Sequence, residues 1–491
     1  MSSIAERRQQ ARRTSSAAAA ANTGAARLLA DADPDADVSA LAADLAFHAR
    51  RASGVTVGVG DLGGRLDNQR LAVTFRVDAD DPYLGLDDGL AIAAAADAAR
   101  MYGHPLVGVL HTPGNDATEG LAGLHGWGLA AKAISSCSGV VPIVFVVDGP
   151  LVSGPSLLLG LADFVVMTAS SYTFVNGPSM VADYTGLTVD NAKLGGPDTH
   201  ARTSGLATRT VPDLDAGLDA VAELLSYLPS HVDAEPSWRP TDDSLDRDAP
   251  ELDTLIPAAS TGSYDVRHAV GGIVDDGVFC EVKARWAPNL VVGFAHVAGR
   301  SVGVVANQPM ALAGTLDINA AQKGAWFVAL CDSFGLPIIT FVDTPGYFPG
   351  KDLEWRGMIR HGAQMAFAYA EASVPRICVV LRKAYGGAYI VMDCKTMGND
   401  LCIAWPSAEL AVMGAKGAVQ ILNRRDDEAT RLQREVEYAA SYLNPFVAAE
   451  RGYVDAVVQP HETRRWVARS VELLASKREL LSQRRHGNSP L

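Results

Sequence analysis

Two turns rich in glycine, each between an apolar strand and an apolar helix, hold the residues that could do chemistry. The plainer one lies between Val379 and Met392, VVLRKAYGGAYIVM. An apolar run, VPRICVVL, reads as a buried strand. It ends at Arg382-Lys383, passes Gly386-Gly387 and re-enters apolar sequence that suits a helix start. Paired glycines let the main chain take φ > 0 and let a ligand come close. The first amides of a helix have no partner within it, so they can point at a negative oxygen. Such a turn is an oxyanion hole made of peptide N–H groups. The same residues would also serve as a tight packing turn.

A second stretch repeats the pattern. Residues 141 to 167 read VPIVFVVDGPLVSGPSLLLGLADFVVM, again strand, turn and apolar helix, followed by the strand DFVVM. Laid on the later segment, Ser153-Gly154 falls on Gly386-Gly387. GHPLVGVL (103 to 110) precedes the first turn as GLPIITFV (335 to 342) precedes the second, and TPG follows each, at 112 to 114 and 344 to 346. The chain is therefore expected to be an internal repeat of about two hundred residues, each half a β/α unit with one anion-binding turn. Two such turns suit a reaction in which two carbonyl oxygens gain charge.

The elements that must position these turns alternate strand and helix, which predicts an α/β fold with mixed, mostly parallel sheets and right-handed crossovers. Residues 1–36 read as an N-terminal arm. A first domain spans 37–229, with a helix pattern, short strands and an Ala-rich amphipathic helix at 87–101. The acidic, Pro-rich stretch 230–253 has no hydrophobic period and reads as a linker. A second domain spans 254–491. It opens with turn residues around Asp265 and Asp275, continues with a hairpin about Ala298-Gly299-Arg300, and ends in a long amphipathic helix with a basic face.

With 491 residues, 48% hydrophobic and 20% charged, the chain has room for two large cores. A net charge of −14 makes nucleic acid and anionic membrane poor partners. The six cysteines sit mostly in apolar runs and form no CxxC or Cys/His spacing, so they read as reduced core residues of a cytoplasmic protein, and no metal site is expected. No apolar run reaches about eighteen residues and the start lacks a signal core, so no membrane span or leader is expected.

Long stretches resemble the carboxyltransferase (β) subunit of biotin-dependent acyl-CoA carboxylases, of the propionyl-CoA/acetyl-CoA carboxylase type. They include 305 to 350, RKAYGGAYIVM (382 to 392), AWPSAELAVMGAKGAVQIL (404 to 422), LNPFVAAERGYVDAVVQP (443 to 460) and the terminal HGNSPL. The first domain adds VVPIVFVVDGP, the NGP of 176 to 178, KLGGPDTHARTSGLA (193 to 207) and SYLP (226 to 229). The resemblance implies two tandem crotonase-like domains. It also implies transfer of CO₂ from carboxybiotin, borne on a separate carrier protein, to the α-carbon of an acyl-CoA, without a metal. The amides of Gly387 and Ala388 would hold the biotin ureido oxygen, and those of Ser153 and Gly154 the thioester oxygen. Tyr385, Gly386 and Ile390 would border the substrate. No side-chain base is implied, and His104, His111 and His125 read as surface or turn histidines. Relatives form hexamers of two stacked trimers and need a biotin carboxylase and biotin carboxyl carrier (α) subunit.

The first domain departs from the family pattern. Ser153-Gly154 stands where relatives carry Gly-Gly, and Pro155, which has no N–H, follows where they have a small residue. HTPGNDATEG (111 to 120) replaces a DSGGARIQEG-type segment, and DDPYLGLDDG replaces a Gly-rich one near 80 to 90. Ile390 stands where propionyl-type relatives often carry Asp, which predicts an acyl preference other than plain propionyl. Two other functions fit the same residues: an acyl-CoA decarboxylase subunit, or a non-catalytic scaffold or regulatory paralogue.

Overall fold

The computed structural model describes residues 52, 54–66, 70–77, 83–259, 261–477, 479, 481 and 487–490. The expected N-terminal arm and the helix pattern after residue 37 lie outside these residues. Two sheets are built from Val-, Ile- and Phe-rich strands with helices on their faces. The first contains β1 (Val55–Gly60), β2 (Ala72–Val77), β3 (Leu106–Thr112), β4 (Ile143–Val152), β5 (Phe164–Thr168), β6 (Tyr172–Phe174) and β7 (Arg209–Val211). Its order is β1-β2-β3-β4-β5-β7, with β6 paired to the end of β4. The second contains β8 (Phe279–Val282), β9 (Leu290–Val297), β10 (Arg300–Asn307), β11 (Ile338–Thr344), β12 (Arg376–Tyr385), β13 (Leu401–Ala404), β14 (Glu409–Ala411) and β15 (Ala456–Val457). Its order is β15-β13-β12-β11-β10-β9-β8, with β14 paired to the end of β12. Only β1 with β2, β8 with β9 and β9 with β10 run antiparallel; the last is the hairpin expected about Ala298-Gly299-Arg300.

The repeat read in the sequence is physical. Each half carries a register shift at the same step, Leu110/Thr112 and Val342/Thr344. After it, Gly114 and Gly346 take φ 137° and 138°, and in both loops the threonine hydroxyl bonds the main chain of the glycine two residues on. Asp163 and Asp400 each accept the first amide of the central strand of their half, from Ile143 and Arg376 at 2.8 Å.

Helices α1 (Leu86–Tyr102) and α2 (Leu121–Ser135) cover the first sheet. They cross where Gly89 and Gly126 leave no room for a side chain: a Cβ on Gly89 would lie 2.1 Å from the Gly126 backbone. Helices α3 (Leu214–Ser226), α4 (Ile318–Ser333) and α5 (Met358–Glu371) follow. The two halves share a core, with Phe164 of β5 packed edge-on against Phe294 of β9 and Trp326 of α4, ring centres 6.1 Å apart in both pairs. The basic C-terminal helix is shorter than expected among the described residues, Thr463–Leu473, here α7; α6 is the turn helix Gly386–Val391. The α7 arginines hold the acidic stretch before the second domain. Fully buried Arg464 bonds the carbonyls of Asp243 and Ser244 and the carboxylate of Asp275, and Arg465 and Arg469 pair with Asp248 and Asp246. All six cysteines are buried and free.

Candidate active site

The second turn is the end of β12. Its approach is fixed by a buried ion pair. Asp343 on β11 accepts from Arg382 Nε at 3.0 Å, from the Tyr264 hydroxyl at 2.9 Å and from the Lys383 amide at 3.1 Å. Burial and the Asp343 charge push the Tyr264 hydroxyl well above its usual pKa. Asp343 is thus a brace for the turn. Gly386 then takes φ 58°, and α6 begins. Among the described residues, no acceptor lies on the amides of Gly387 or Ala388.

Gly386 and Gly387 open on a pocket of ≈450 Å³, bordered further by Tyr389, Ile390, Cys394, Lys395, Leu410, Val412 and Tyr453. Its wall is mostly apolar. Ile390 is 42% exposed and belongs to that wall rather than to the core. Burial and neighbouring buried thiols raise the Tyr389 hydroxyl far above its ordinary pKa, so it stays protonated. Tyr347, from the loop after β11, stands 3.6 Å from where a Cβ on Gly387 would be. Sequence reasoning missed Tyr347, Cys394, Lys395 and Tyr453: Tyr347 and Tyr453 lie inside the family-like stretches 305 to 350 and 443 to 460, and Cys394 and Lys395 just after 382 to 392.

Tyr385 is not part of this wall. As the last residue of β12 it turns its hydroxyl onto the Glu409 carboxylate and lays its ring against Gly414. Tyr385, expected to border the substrate, spends its hydroxyl on Glu409.

The first turn differs. Ser153 takes φ 66°, ψ −149°, a combination that belongs to glycine, and stands where the second half has Gly386. Its amide donates to the Phe174 carbonyl at 3.0 Å, so it does not face a substrate. That amide was expected to hold the thioester oxygen, and the Phe174 carbonyl occupies it instead. The places of Gly387 and Ala388 are taken in this half by Gly154 and Pro155. Gly154 keeps a free amide among the described residues, and proline offers none. The Trp127 indole of α2 lies over Gly154, with Nε1 3.1 Å from where its Cβ would be. His111, on β3, is tied through Nδ1 to the Asp148 carbonyl at 2.7 Å, a structural contact with β4. Among the described residues no three His, Cys, Asp or Glu side chains come together as a metal site. No helix there is long and apolar enough to cross a membrane.

A duplicated β/α fold with a strand-to-helix turn at the same place in each half is the architecture of the crotonase-like fold. The carboxyl transferase domain family matches residues 34–489, and the chain belongs to that family. It is 44% identical over 427 residues to the propionyl-CoA carboxylase beta chain of Saccharopolyspora erythraea, covering 83% of this chain and 78% of that one. It is 42% identical over 405 residues to the methylmalonyl-CoA carboxyltransferase 12S subunit of Propionibacterium freudenreichii subsp. shermanii, covering 81% and 77%. The crystal structure of a transcarboxylase 12S hexamer with methylmalonyl-coenzyme A bound superposes with a TM-score of 0.86 at 40% identity, over 89% of this chain and 85% of that one. The chain is a carboxyltransferase of the biotin-dependent acyl-CoA carboxylase type.

Proposed function

We propose that this chain moves CO₂ from carboxybiotin on a separate carrier subunit to the α-carbon of an acyl-CoA, with one main-chain turn serving each partner. The observation that carries the reading is the conserved pairing of turns across a duplicated fold, with free amides at Gly387, Ala388 and Gly154. The pocket beside Gly387 fits a largely apolar bicyclic ring with one polar oxygen: its wall is mostly apolar, and main-chain N–H groups and the Lys395, Thr396, Tyr389 and Tyr453 side chains are its polar groups. Carboxybiotin supplies CO₂ there and leaves a ring nitrogen able to take a proton. The Gly387 and Ala388 amides would hold the negative charge that appears on the ureido oxygen. At the first turn, the α C–H bond of the thioester breaks, its electron pair passes into the enolate, and the Gly154 amide holds the resulting oxygen charge. The α-carbon then forms its bond to CO₂ and the thioester carbonyl is restored. Preorganised donors of this kind are commonly worth about 10²- to 10³-fold in rate each.

The apolar Ile390 wall supports an acyl group other than propionyl. The hexameric relative supports assembly as a hexamer, and relatives named as a beta chain or a carboxyltransferase subunit support a separate partner bearing biotin and the ATP-driven carboxylation step. Reduced buried cysteines support a cytoplasmic setting. The missing amide at Pro155 favours a second reading, in which the biotin half works and the acyl half is slow. Incubation with carboxylated carrier and a panel of acyl-CoAs, with products weighed by mass spectrometry, separates the two. At least one acyl-CoA is expected to gain CO₂. No product from any thioester, with carboxybiotin still consumed, would establish the second reading.

A further inference from the structure

Serine at position 153 brings a conformational pull that glycine would not. It holds φ 66°, ψ −149°. At such a φ an L-residue is comfortable only in the left-handed helical region, at a ψ of roughly +30 to +60°. Glycine takes the mirror of the extended region about as readily. The torsions ψ of Ser153 and φ of Gly154 turn the peptide between them, so relaxing Ser153 into the left-handed region would rotate that peptide by nearly half a turn. A peptide is planar and trans, with its C=O and N–H pointing opposite ways. The relaxed turn would therefore aim the Ser153 carbonyl where the Gly154 N–H now points and carry the donor away.

The oxygen end of the same peptide is gripped. The Ser153 carbonyl accepts from the Ser156 amide at 3.1 Å and from the Ser156 hydroxyl at 2.6 Å. The amide bond is the ordinary closure of a first helical turn and belongs to any residue but proline. The hydroxyl bond belongs to this side chain, and Ser156 is buried, so water competes little for it. In the second half Tyr389 has the place of Ser156, and Gly386 exerts no comparable pull on its peptide.

We infer that the Ser156 hydroxyl keeps the Gly154 amide turned toward the thioester oxygen and is a positioning residue for the acyl half. This rests on the acyl-CoA reading above. Pro155 offers no amide, so the enolate charge at this turn falls on one main-chain N–H, and the bearing of that N–H decides how much charge the turn can hold. A donor on the carbonyl also polarises the peptide and strengthens its N–H.

The test is Ser156→Ala. With the acyl-CoA that wild-type protein carboxylates best, kcat is expected to fall by about 3- to 10-fold, the worth of one neutral hydrogen bond, with KM little changed, as for a contact that matters mainly in the transition state. Consumption of carboxybiotin without acceptor, which uses the other turn, should keep its rate. Ser156→Thr, which keeps a hydroxyl, should stay close to wild type. Adding Ser153→Gly to Ser156→Ala should recover most of the lost kcat, because glycine does not favour the flipped peptide; a loss of packing at 156 would not respond to that change. Wild-type kcat in Ser156→Ala, equal losses in both half-reactions, or no recovery on adding Ser153→Gly would overturn the role of Ser156 and leave the acyl-CoA reading intact. A wild-type protein that carboxylates no thioester would overturn both.

Discussion

Ser153 and Gly386 occupy the same place in the duplicated fold and both take a positive φ, 66° and 58°, although only one of them is glycine. A backbone angle that favours glycine is kept here by a serine. In the first half that geometry is held by the Phe174 carbonyl on the Ser153 amide and by the Ser156 amide and hydroxyl on the Ser153 carbonyl.

Ser153→Gly should therefore stabilise the protein. A side chain in this region of φ and ψ costs of order 1 to 3 kcal/mol, part of which returns as extra chain entropy in the unfolded glycine variant. The expected gain is about 1 kcal/mol, read as a higher denaturant midpoint. An unchanged or lower midpoint would show that the serine side chain makes compensating contacts.

Ala388→Pro copies into the second half what Pro155 does in the first. Proline is tolerated in a first helical turn, and the first half shows the same turn built with it. Removing that amide should slow acceptor-independent consumption of carboxybiotin by about 10²- to 10³-fold, with far-ultraviolet circular dichroism unchanged. A rate within a few-fold of wild type would exclude the Ala388 amide from the chemistry.

Ile390→Asp alters the wall of the ≈450 Å³ pocket without touching the core. Pocket contacts of this size discriminate by about 10- to 200-fold. The ratio of kcat/KM for propionyl-CoA to that for the best longer acyl-CoA is expected to shift by at least about 10-fold. An unmoved ratio would return Ile390 to a purely structural role.

Lys323 on α4 is wholly buried, and its ammonium is held by the carbonyls of Trp286 and Leu290 at 2.8 and 2.7 Å. Burial lowers its pKa to about 7, far below that of a lysine in the unfolded chain. Between about 7 and 10 the unfolded state then binds more protons than the native one, so this group makes stability rise with pH across that window. The slope has a ceiling of about 1.4 kcal/mol per pH unit for one proton. Comparing denaturation of wild type and Lys323→Met from pH 7 to 10 isolates it: the difference between the two should narrow or reverse in favour of wild type as pH rises. A constant difference would mean that the cradle of main-chain carbonyls keeps Lys323 charged.

The repeat and the second turn were legible because they are local: strand, paired glycine and helix follow one another within a dozen or so residues, and the copies share TPG and apolar spacing. The side chains that finish the site were not. Tyr347 and Tyr453 reach Gly387 and its pocket from other elements, and Trp127 reaches Gly154 only because two helices cross at Gly89 and Gly126. Tyr385 lay inside the motif yet turned away, since Glu409 on β14 competes for its hydroxyl. The hydrogen bond from Ser153 to Phe174 depends on β6 pairing with the end of β4, a contact no one-dimensional pattern announces.

The clasp of Arg464, Arg465 and Arg469 on residues 243–248 has a mechanical consequence. A connector gripped by a buried guanidinium and two surface ion pairs behaves as a strut, not a hinge, and the shared aromatic core leaves the halves no plane to slide on. On the proposed function its two reaction partners have fixed addresses, and the travelling in each turnover falls to the carrier that brings the CO₂.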